Sequence, residues 1–362
     1  MLNKNNGILI CRTDKIGDLV LSIPAIKTII KAFPDSPVYL MVSSYASPVV
    51  ENMTGIAGVI KYDDADDLVS EVDKTKMLIR KIVSLNCTKA LMLVHDSNVL
   101  NIIKKAGIKE RFGPLTKVTS IFSYTKWIAQ HRSNVEKHEL EYNMDLLRLL
   151  GIQEDKFDYE LELNIPKYSQ ERAKEKLKQE GFTDLNKGFI IIHATMSGSA
   201  LNWKYAFYSE LASRIFQELS IPVILTGSEK EKSVVSSIKN HIAGTAYDLS
   251  GKLSLVELIG LISLSKLFVG PSTGPMHIAA ACGVPVVSIF SPVKVQTAKR
   301  WGPYSKLAVT VSPNVDCPGK LKCLGDKCEN YFCMDSVSVE NVFDKVKDLY
   351  VSTNDYQMSL KL

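Results

Sequence analysis

The sequence predicts an α/β protein built from two doubly wound halves. Three observations carry this. Short apolar runs alternate with amphipathic, helix-spaced stretches as far as Gly151, the βαβα pattern of a parallel sheet covered on both faces. The pattern breaks at Pro166 and a charged stretch, then restarts at GFIIIHA. The chain has 362 residues, which suits two domains of about 150 residues or a little more. The expected domains are residues 1–165 and 166–362.

In the first half, GILICR reads as a strand, and KIGDLVLSIPAIKTIIKAF as one helix that Pro34 ends. PVYLMVSS and GVIKYD are the next two strands. Lys74 to Leu85 is an amphipathic helix and KALMLVHD a further strand. NIIKKAGIKERFG gives a helix, a loop and a short strand. HELEYNMDLLRLL, His138 to Leu150, is a helix that stops at Gly151. In the second half, KYSQERAKEKLKQEGF is a linker and first helix. The strands GFIIIHA, PVILTG, KLFVG and VPVVSIF follow, with helices YSELASRIFQEL, EKEKSVVSSIKNHI, SLVELIGLISLS and MHIAAACG between them. No internal repeat or low-complexity tract is present.

Hydrophobic residues make up 46% of the chain and charged residues 23%, as in a globular protein with sizeable cores. A formal net charge of +5 is too weak to argue for a nucleic acid partner, yet it suits an acidic substrate or a membrane surface. The start, MLNKNNGILICRTDKIGD, has too short an apolar run for a signal peptide, and charges follow at once. No apolar stretch approaches the roughly 18 residues of a membrane span. A cytoplasmic protein is expected. Cys11, Cys87 and Cys282 sit in apolar runs and read as reduced core residues. Cys317, Cys323, Cys328 and Cys333 crowd a 17-residue window, CPGKLKCLGDKCENYFC. In the cytosol such a cluster favours metal over disulfide, but the irregular spacing lacks the CxxC pairs of a zinc ribbon. Reduced thiols in a loop are expected, with no metal and no cofactor.

Four strand-to-helix corners carry chemistry, and in open parallel sheets ligands bind outside the carboxyl ends of strands. At CRTDKIGDLV, Gly17 permits a tight turn and Asp18 falls in the first helical turn. Asp18 is either ordinary first-turn capping or a general base. At HATMSGSALNWKY, Thr195, Ser197, Gly198 and Ser199 make a hydroxyl-rich loop that either cradles phosphate oxygens or is merely polar. At ILTGSEKEKS, Glu229 and Glu231 follow a strand end, where an acid takes ribose hydroxyls or simply caps a helix. At GPSTGPMHIAAACG, Ser272, Thr273 and Gly274 occupy a helix N-terminus whose free N–H groups and dipole attract phosphate. Pro275 is placed at the first helical position, where a missing N–H costs nothing. His277 follows on the first turn, as an anion donor or a packing residue. No Walker motif and no GxGxxG occurs, so neither a P-loop nor a standard dinucleotide site is supported, and a Rossmann dehydrogenase is disfavoured.

RTDKIGDLVLSIPAI, HELEYNMDLLRLLGI, SGSALNW and GPSTGPMHIAAACGVPVVSIFSP resemble the motifs of glycosyltransferase family 9, the heptosyltransferases of lipopolysaccharide synthesis. The resemblance covers nearly the whole chain in four ordered motifs. It implies a GT-B fold, two Rossmann-like domains facing a cleft, with the acceptor on the N-terminal domain and an ADP-sugar on the C-terminal one. It implies metal-independent transfer with inversion, from ADP-heptose to a lipid-linked anionic glycan at the cytoplasmic face of the inner membrane. By the same resemblance Asp18 matches the catalytic aspartate of the GD pair. Thr273 and Gly274 match the diphosphate-binding positions, His277 the histidine that follows, and Glu231 the ribose-binding glutamate. Two departures leave the donor sugar open. Ser272 stands where the classical members carry an acid, and Leu201 where they often have a lysine, with Lys204 displaced to the far side of Trp203.

The donor side is therefore expected at Thr195, Ser197, Ser199, Lys204, Glu231, Ser272, Thr273, Gly274 and His277. The acceptor side is expected at Arg12, Lys15 and the basic stretch Lys104, Lys105, Lys109 and Arg111, which otherwise reads as a solvated helix end. The alternatives are a family 9 transferase for another nucleotide sugar and a nucleotide-binding protein without turnover; only a transferase has need of Asp18.

Overall fold

The computed structural model describes residues 6–63, 70–116, 118–196, 198 and 200–359. The chain forms two compact units, Met1–Arg132 with Lys137–Asn164, and Ser133–Glu136 with Ile165–Leu362.

In the first unit the strands are β1 (Gly7–Arg12), β2 (Val38–Val42), β3 (Gly58–Lys61), β4 (Cys87–Met92), β5 (Glu110–Leu115) and β6 (Lys126–Ala129). They form one sheet in the order β3-β2-β1-β4-β5-β6, and every pairing is parallel. The helices are α1 (Ile16–Val20), α2 (Ile23–Ala32), α3 (Glu71–Ser84), α4 (Ser97–Lys105) and α5 (Glu139–Asp145). β1 is buried along its whole length, as a central parallel strand must be.

The single helix expected from KIGDLVLSIPAIKTIIKAF is two. Pro24 has no N–H to give the carbonyl of Val20, so the ladder fails at Leu21–Ser22 and α2 starts anew at Ile23 with Pro24 in its first turn. The Ser22 hydroxyl donates to the Asp18 carbonyl at 2.8 Å across the break. Gly17 is a buried helical residue without a left-handed φ, so its expected role as a turn is not seen. The helix expected from His138 to Leu150 is α5 followed by a 3₁₀ turn over Leu146–Leu150, and Gly151, at φ 82°, closes it.

In the second unit the strands are β7 (Ile190–Ile192), β8 (Val223–Leu225), β9 (Ala246–Asp248), β10 (Leu267–Pro271), β11 (Val286–Ile289) and β12 (Ala308–Val311). The order is β12-β11-β10-β7-β8-β9, again all parallel. The helices are α6 (Lys167–Gln179), α7 (Tyr205–Leu219), α8 (Lys232–Asn240), α9 (Leu255–Leu264), α10 (Gly274–Ala281), α11 (Ala298–Trp301) and α12 (Val339–Ser359). Gly260 of α9 lies so close to α6 that a Cβ there would stand 2.1 Å from the Ser169 carbonyl oxygen. α12 lays Val339, Val342, Phe343 and Val346 into the core beside Leu211, Ala212 and Ile215 of α7.

Both sheets thus share one strand order, each with its reversal between a first and a fourth strand: β1/β4 in one unit and β7/β10 in the other. In such sheets the crevice outside these strand ends is where ligands sit. Among the described residues no helix is long and apolar enough to cross a membrane.

Candidate active site

In the first unit Arg12 ends β1 and is 2% exposed. Its Nε donates to Asp14 at 2.8 Å, one terminal nitrogen to Asp18 at 2.6 Å, and the other to the Leu93 carbonyl and Asn143 Oδ1. Glu139, 1% exposed, accepts from Arg12 at 3.4 Å and also from Arg132. Asn143 turns its amide back to the Leu21 carbonyl and the Ser22 hydroxyl. Asp18 stands in the first turn of α1, 14% exposed, with its carboxylate fixed to the guanidinium. A carboxylate so placed at a strand end can take a proton from a hydroxyl brought to it. Burial pushes the Asp14 carboxyl up to about 6, ahead of the pull from Arg12, and the Asp18 charge pushes the same way.

The expected acceptor cations distribute differently. Arg12 is spent on internal partners, which makes it a support for Asp18 and corrects its expected contact with an acceptor. Lys15, the N-cap residue of α1, is exposed at the same strand end as Asp18. Lys104 and Lys105 close α4, which starts at the carboxyl end of β4 and runs back to the amino end of β5. They therefore lie about 13 Å of helix away from that strand end. Arg111, the second residue of β5, gives its guanidinium to the carbonyls of Ile108, Lys109 and Ser123. The basic stretch Lys104, Lys105, Lys109 and Arg111 is thus not brought to Asp18. The whole stretch lies at the amino end of β5, because α4 carries the chain back from the carboxyl strand end where Asp18 stands.

In the second unit the three expected corners meet at the ends of the neighbouring strands β10, β7 and β8. Thr273 is the N-cap of α10 and uses no side-chain cap bond; its hydroxyl makes a 3.4 Å contact to the Pro271 carbonyl. Gly274 is the first helical residue, so Pro275 is the second and not the first as expected. Ser272, Thr273 and Gly274 are half-buried, and His277 is buried. Thr195, 2% exposed, follows β7. Ser197 and Ser199 lie outside the described residues; Gly198 between them is exposed at φ 71°.

After β8, Ser228 donates to Glu231 Oε2 through its N–H at 2.8 Å and its hydroxyl at 2.6 Å, a capping box. Burial works to raise the Glu231 carboxyl, but Ser228, His193 and Thr195 together bring it below its usual range. Lys204 pairs with Asp335 at 2.5 Å and is half-exposed. The tryptophan beside it is structural: the buried Trp203 donates to the Val337 carbonyl at 2.8 Å.

Sequence reasoning passed over His193, Asp14, Glu139, Asn143 and Arg132. His193, buried after β7, meets the Thr226 hydroxyl at 2.9 Å, and burial pushes its pKa down to about 4 against the opposing charge of Glu231. The i,i+4 spacing of Glu139 and Asn143 in HELEYN, on one helix face, was the available signal for the third carboxylate of the Arg12 cluster.

All seven cysteines are free thiols. The Cys333 thiol is raised by burial and by the nearby Cys317, Cys323 and Cys328. Among the described residues no three His, Cys, Asp or Glu side chains are arranged to hold a metal ion.

A family model described as glycosyltransferase family 9 (heptosyltransferase) matches residues 97–330, well over half of the sequence. The chain belongs to glycosyltransferase family 9. Relatives of this family 9 chain align along almost its whole length. One, a Haemophilus influenzae protein described only as a candidate glycosyltransferase, is 26% identical over 94% of this chain and 95% of its own. The lipopolysaccharide core heptosyltransferase OpsX of the same organism is 22% identical over 95% and 96%. The solved structure of the E. coli ADP-heptose lipopolysaccharide heptosyltransferase II covers 96% of this chain and 99% of its own, with a TM-score of 0.77 and 18% identity. The fold is therefore GT-B, and the chain is a glycosyltransferase.

Proposed function

We propose that this family 9 enzyme transfers a heptose from ADP-heptose, with inversion, to a growing lipopolysaccharide core. The observation that carries the reading is Asp18, a carboxylate held by Arg12 in the first turn after β1, at the strand end where its sheet reverses order. The acceptor hydroxyl gives its proton to Asp18 as its oxygen attacks the anomeric carbon. The bond from that carbon to the leaving diphosphate oxygen breaks as the new glycosidic bond forms. General-base help of this kind is worth on the order of 10²–10⁴-fold. ADP leaves with added negative charge, which the free N–H groups at the start of α10, the Thr273 hydroxyl and the Thr195 side would receive. Glu231, its Oε2 held by Ser228, presents its carboxylate to the ribose hydroxyls. We assign the first unit to the acceptor and the second to the donor. The names of the heptosyltransferase relatives support heptose, ADP and the lipopolysaccharide core. A lipid-linked acceptor places the enzyme peripherally at the cytoplasmic face of the inner membrane, and the chemistry as drawn needs no metal ion.

Ser272 in place of an acid, Leu201 in place of a lysine, and the engagement of Lys204 by Asp335 favour a second reading, the same reaction with another nucleotide sugar. Incubating the chain with a panel of nucleotide sugars and truncated lipopolysaccharide acceptors, with products weighed by mass spectrometry, separates the two. A mass gain of one heptose from ADP-heptose, retained in excess EDTA, is expected. A gain from a different donor alone makes the second reading correct.

A further inference from the structure

The basic stretch that lies away from Asp18 has a setting of its own. Lys104 and Lys105 end α4, and Lys109 follows in the loop to β5. All three are exposed, and none makes an ion pair among the described residues. The acid of the stretch, Glu110, is taken by Lys89 at 3.6 Å. α3 packs beside α4 and crosses the sheet in the same direction, so the exposed Arg80 and Lys81 come to the same end. Arg111 ties this corner to the next turn. Its guanidinium donates to the Ile108 and Lys109 carbonyls on one side and to the Ser123 carbonyl on the other. Its backbone N–H gives to the Thr125 hydroxyl at 3.0 Å. On that turn Phe122 stands 90% exposed, and Trp127, near the start of the edge strand β6, is 40% exposed. Trp127 pairs in register with Gly113, where an added Cβ would meet Tyr124. Tyr124 packs with Ile82 of α3 and Val99 of α4, so Trp127 falls on the face that these helices cover.

Lysines at a helix end are ordinary, since they answer the helix dipole. Two large aromatics held in water beside unpaired cations call for a partner that takes both. We propose that this corner of the first unit docks the enzyme on an anionic phospholipid surface. Phe122 and Trp127 enter the headgroup layer, where their rings leave water, and Lys104, Lys105 and Lys109 meet the lipid phosphates. A free anion would occupy the cations and give Phe122 no place. Arg111 fixes both turns from inside, so aromatics and lysines are presented together. The docking corner is at the amino end of the strands. Asp18 stands at the other end of the six-residue β1, about 20 Å along the sheet, and stays open to a glycan that projects from the lipid.

The purpose of such docking, reaching a lipid-linked acceptor, rests on the proposed function; the docking itself is tested without transfer. The full chain is sedimented with phosphatidylcholine vesicles that contain or lack phosphatidylglycerol. The variants are Phe122→Ser, Lys104→Gln with Lys105→Gln, and, as a control for net charge, Lys178→Gln with Lys187→Gln, two exposed lysines of the second unit. Wild type should sediment with the anionic vesicles and stay in the supernatant with the neutral ones. A lysine near such a surface is worth about fivefold in binding, so loss of Lys104 and Lys105 should weaken it about tenfold or more, and the control pair about twofold or less. Phe122→Ser should weaken it several-fold, and the fluorescence of Phe122→Trp should shift to the blue on anionic vesicles. Transfer to a delipidated acceptor should be unchanged in every variant. Wild type left in the supernatant with anionic vesicles, equal losses in the two lysine pairs, or an unmoved Phe122→Trp emission overturns the proposal. Slower transfer to the delipidated acceptor with vesicle binding intact also overturns it, and returns the basic stretch to the acceptor. If wild type transfers nothing from ADP-heptose, the proposed function falls and sedimentation still decides the docking.

Discussion

At the residue scale, His193 shows how the second unit trades protonation for order. Its ring is buried after β7 against Thr226 and Phe268, and burial holds its pKa near 4. A neutral buried histidine must charge on acidification, so the unfolded chain binds the extra proton first, from about pH 6.5 downward. Stability from this group is complete above pH 6.5 and is lost as pH falls toward 4, by an amount of order 3 kcal/mol. Glu231, held below its usual range, loses stability in the same direction. Melting curves between pH 7 and 4.5 should fall less steeply for His193→Asn than for wild type. Equal slopes would mean that His193 already charges freely in the folded state. The same scale shows the reach of sequence. Asp18 and Thr273 are legible because a strand end and a helix start are local events. Arg12 was assigned to the acceptor because its partners Glu139 and Asn143 lie 127 and 131 positions away, and nothing local shows that its donors are taken.

At the element scale, α10 and the α6–α9 pair make separate claims. α10 starts at Gly274 with Thr273 as a cap that makes no cap bond, which leaves the first N–H groups for an anion. Gly274→Val sets a β-branched side chain where phosphate oxygens would approach. ADP titrated calorimetrically into this variant should bind about tenfold or more weakly, the loss of one charge-assisted hydrogen bond. Unchanged affinity with an unchanged melting temperature would make this corner a helix start and nothing more. Gly260→Ala places a Cβ 2.1 Å from the Ser169 oxygen, so α9 and α6 must part. The cost should be about 1–3 kcal/mol or more. A melting temperature within a degree of wild type would show that the contact is looser than drawn.

Most elements were visible in the hydrophobic pattern; the exceptions have physical reasons. β6, β9 and β12 lie at sheet edges and are partly exposed, so KWIA, AYD and AVTV lack the continuous apolar run that marks the equally short buried strands β7 and β8. The helix of KIGDLVLSIPAI reads as continuous because its apolar spacing runs through Pro24, while hydrogen bonding does not. α12 carries a plain signal in Val339, Val342, Phe343 and Val346, at helical spacing. Lys104, Lys105 and Arg111 illustrate the converse: neighbours in sequence can face the wrong end of a sheet, because a crossover helix reverses direction.

At the scale of the whole molecule, two sheets of one strand order each present chemistry at the strand ends where that order reverses. One carries a carboxylate on a guanidinium and the other a helix start ringed by hydroxyls. Such an arrangement asks for two ligands, a proton-bearing nucleophile and a leaving anion, as family 9 membership requires. A binding protein without turnover needs the second and not the first, so the central claim turns on Asp18. The most direct measurement is single-turnover transfer from ADP-heptose to a truncated core acceptor by wild type and by Asp18→Asn. The anomeric linkage of the product is read by NMR, and ADP affinity is measured in parallel. The account predicts a product inverted relative to the donor, a rate at least about 10²-fold lower in Asp18→Asn, and equal ADP affinity in both. Transfer by Asp18→Asn within tenfold of wild type, or a product with the donor's configuration retained, would contradict it.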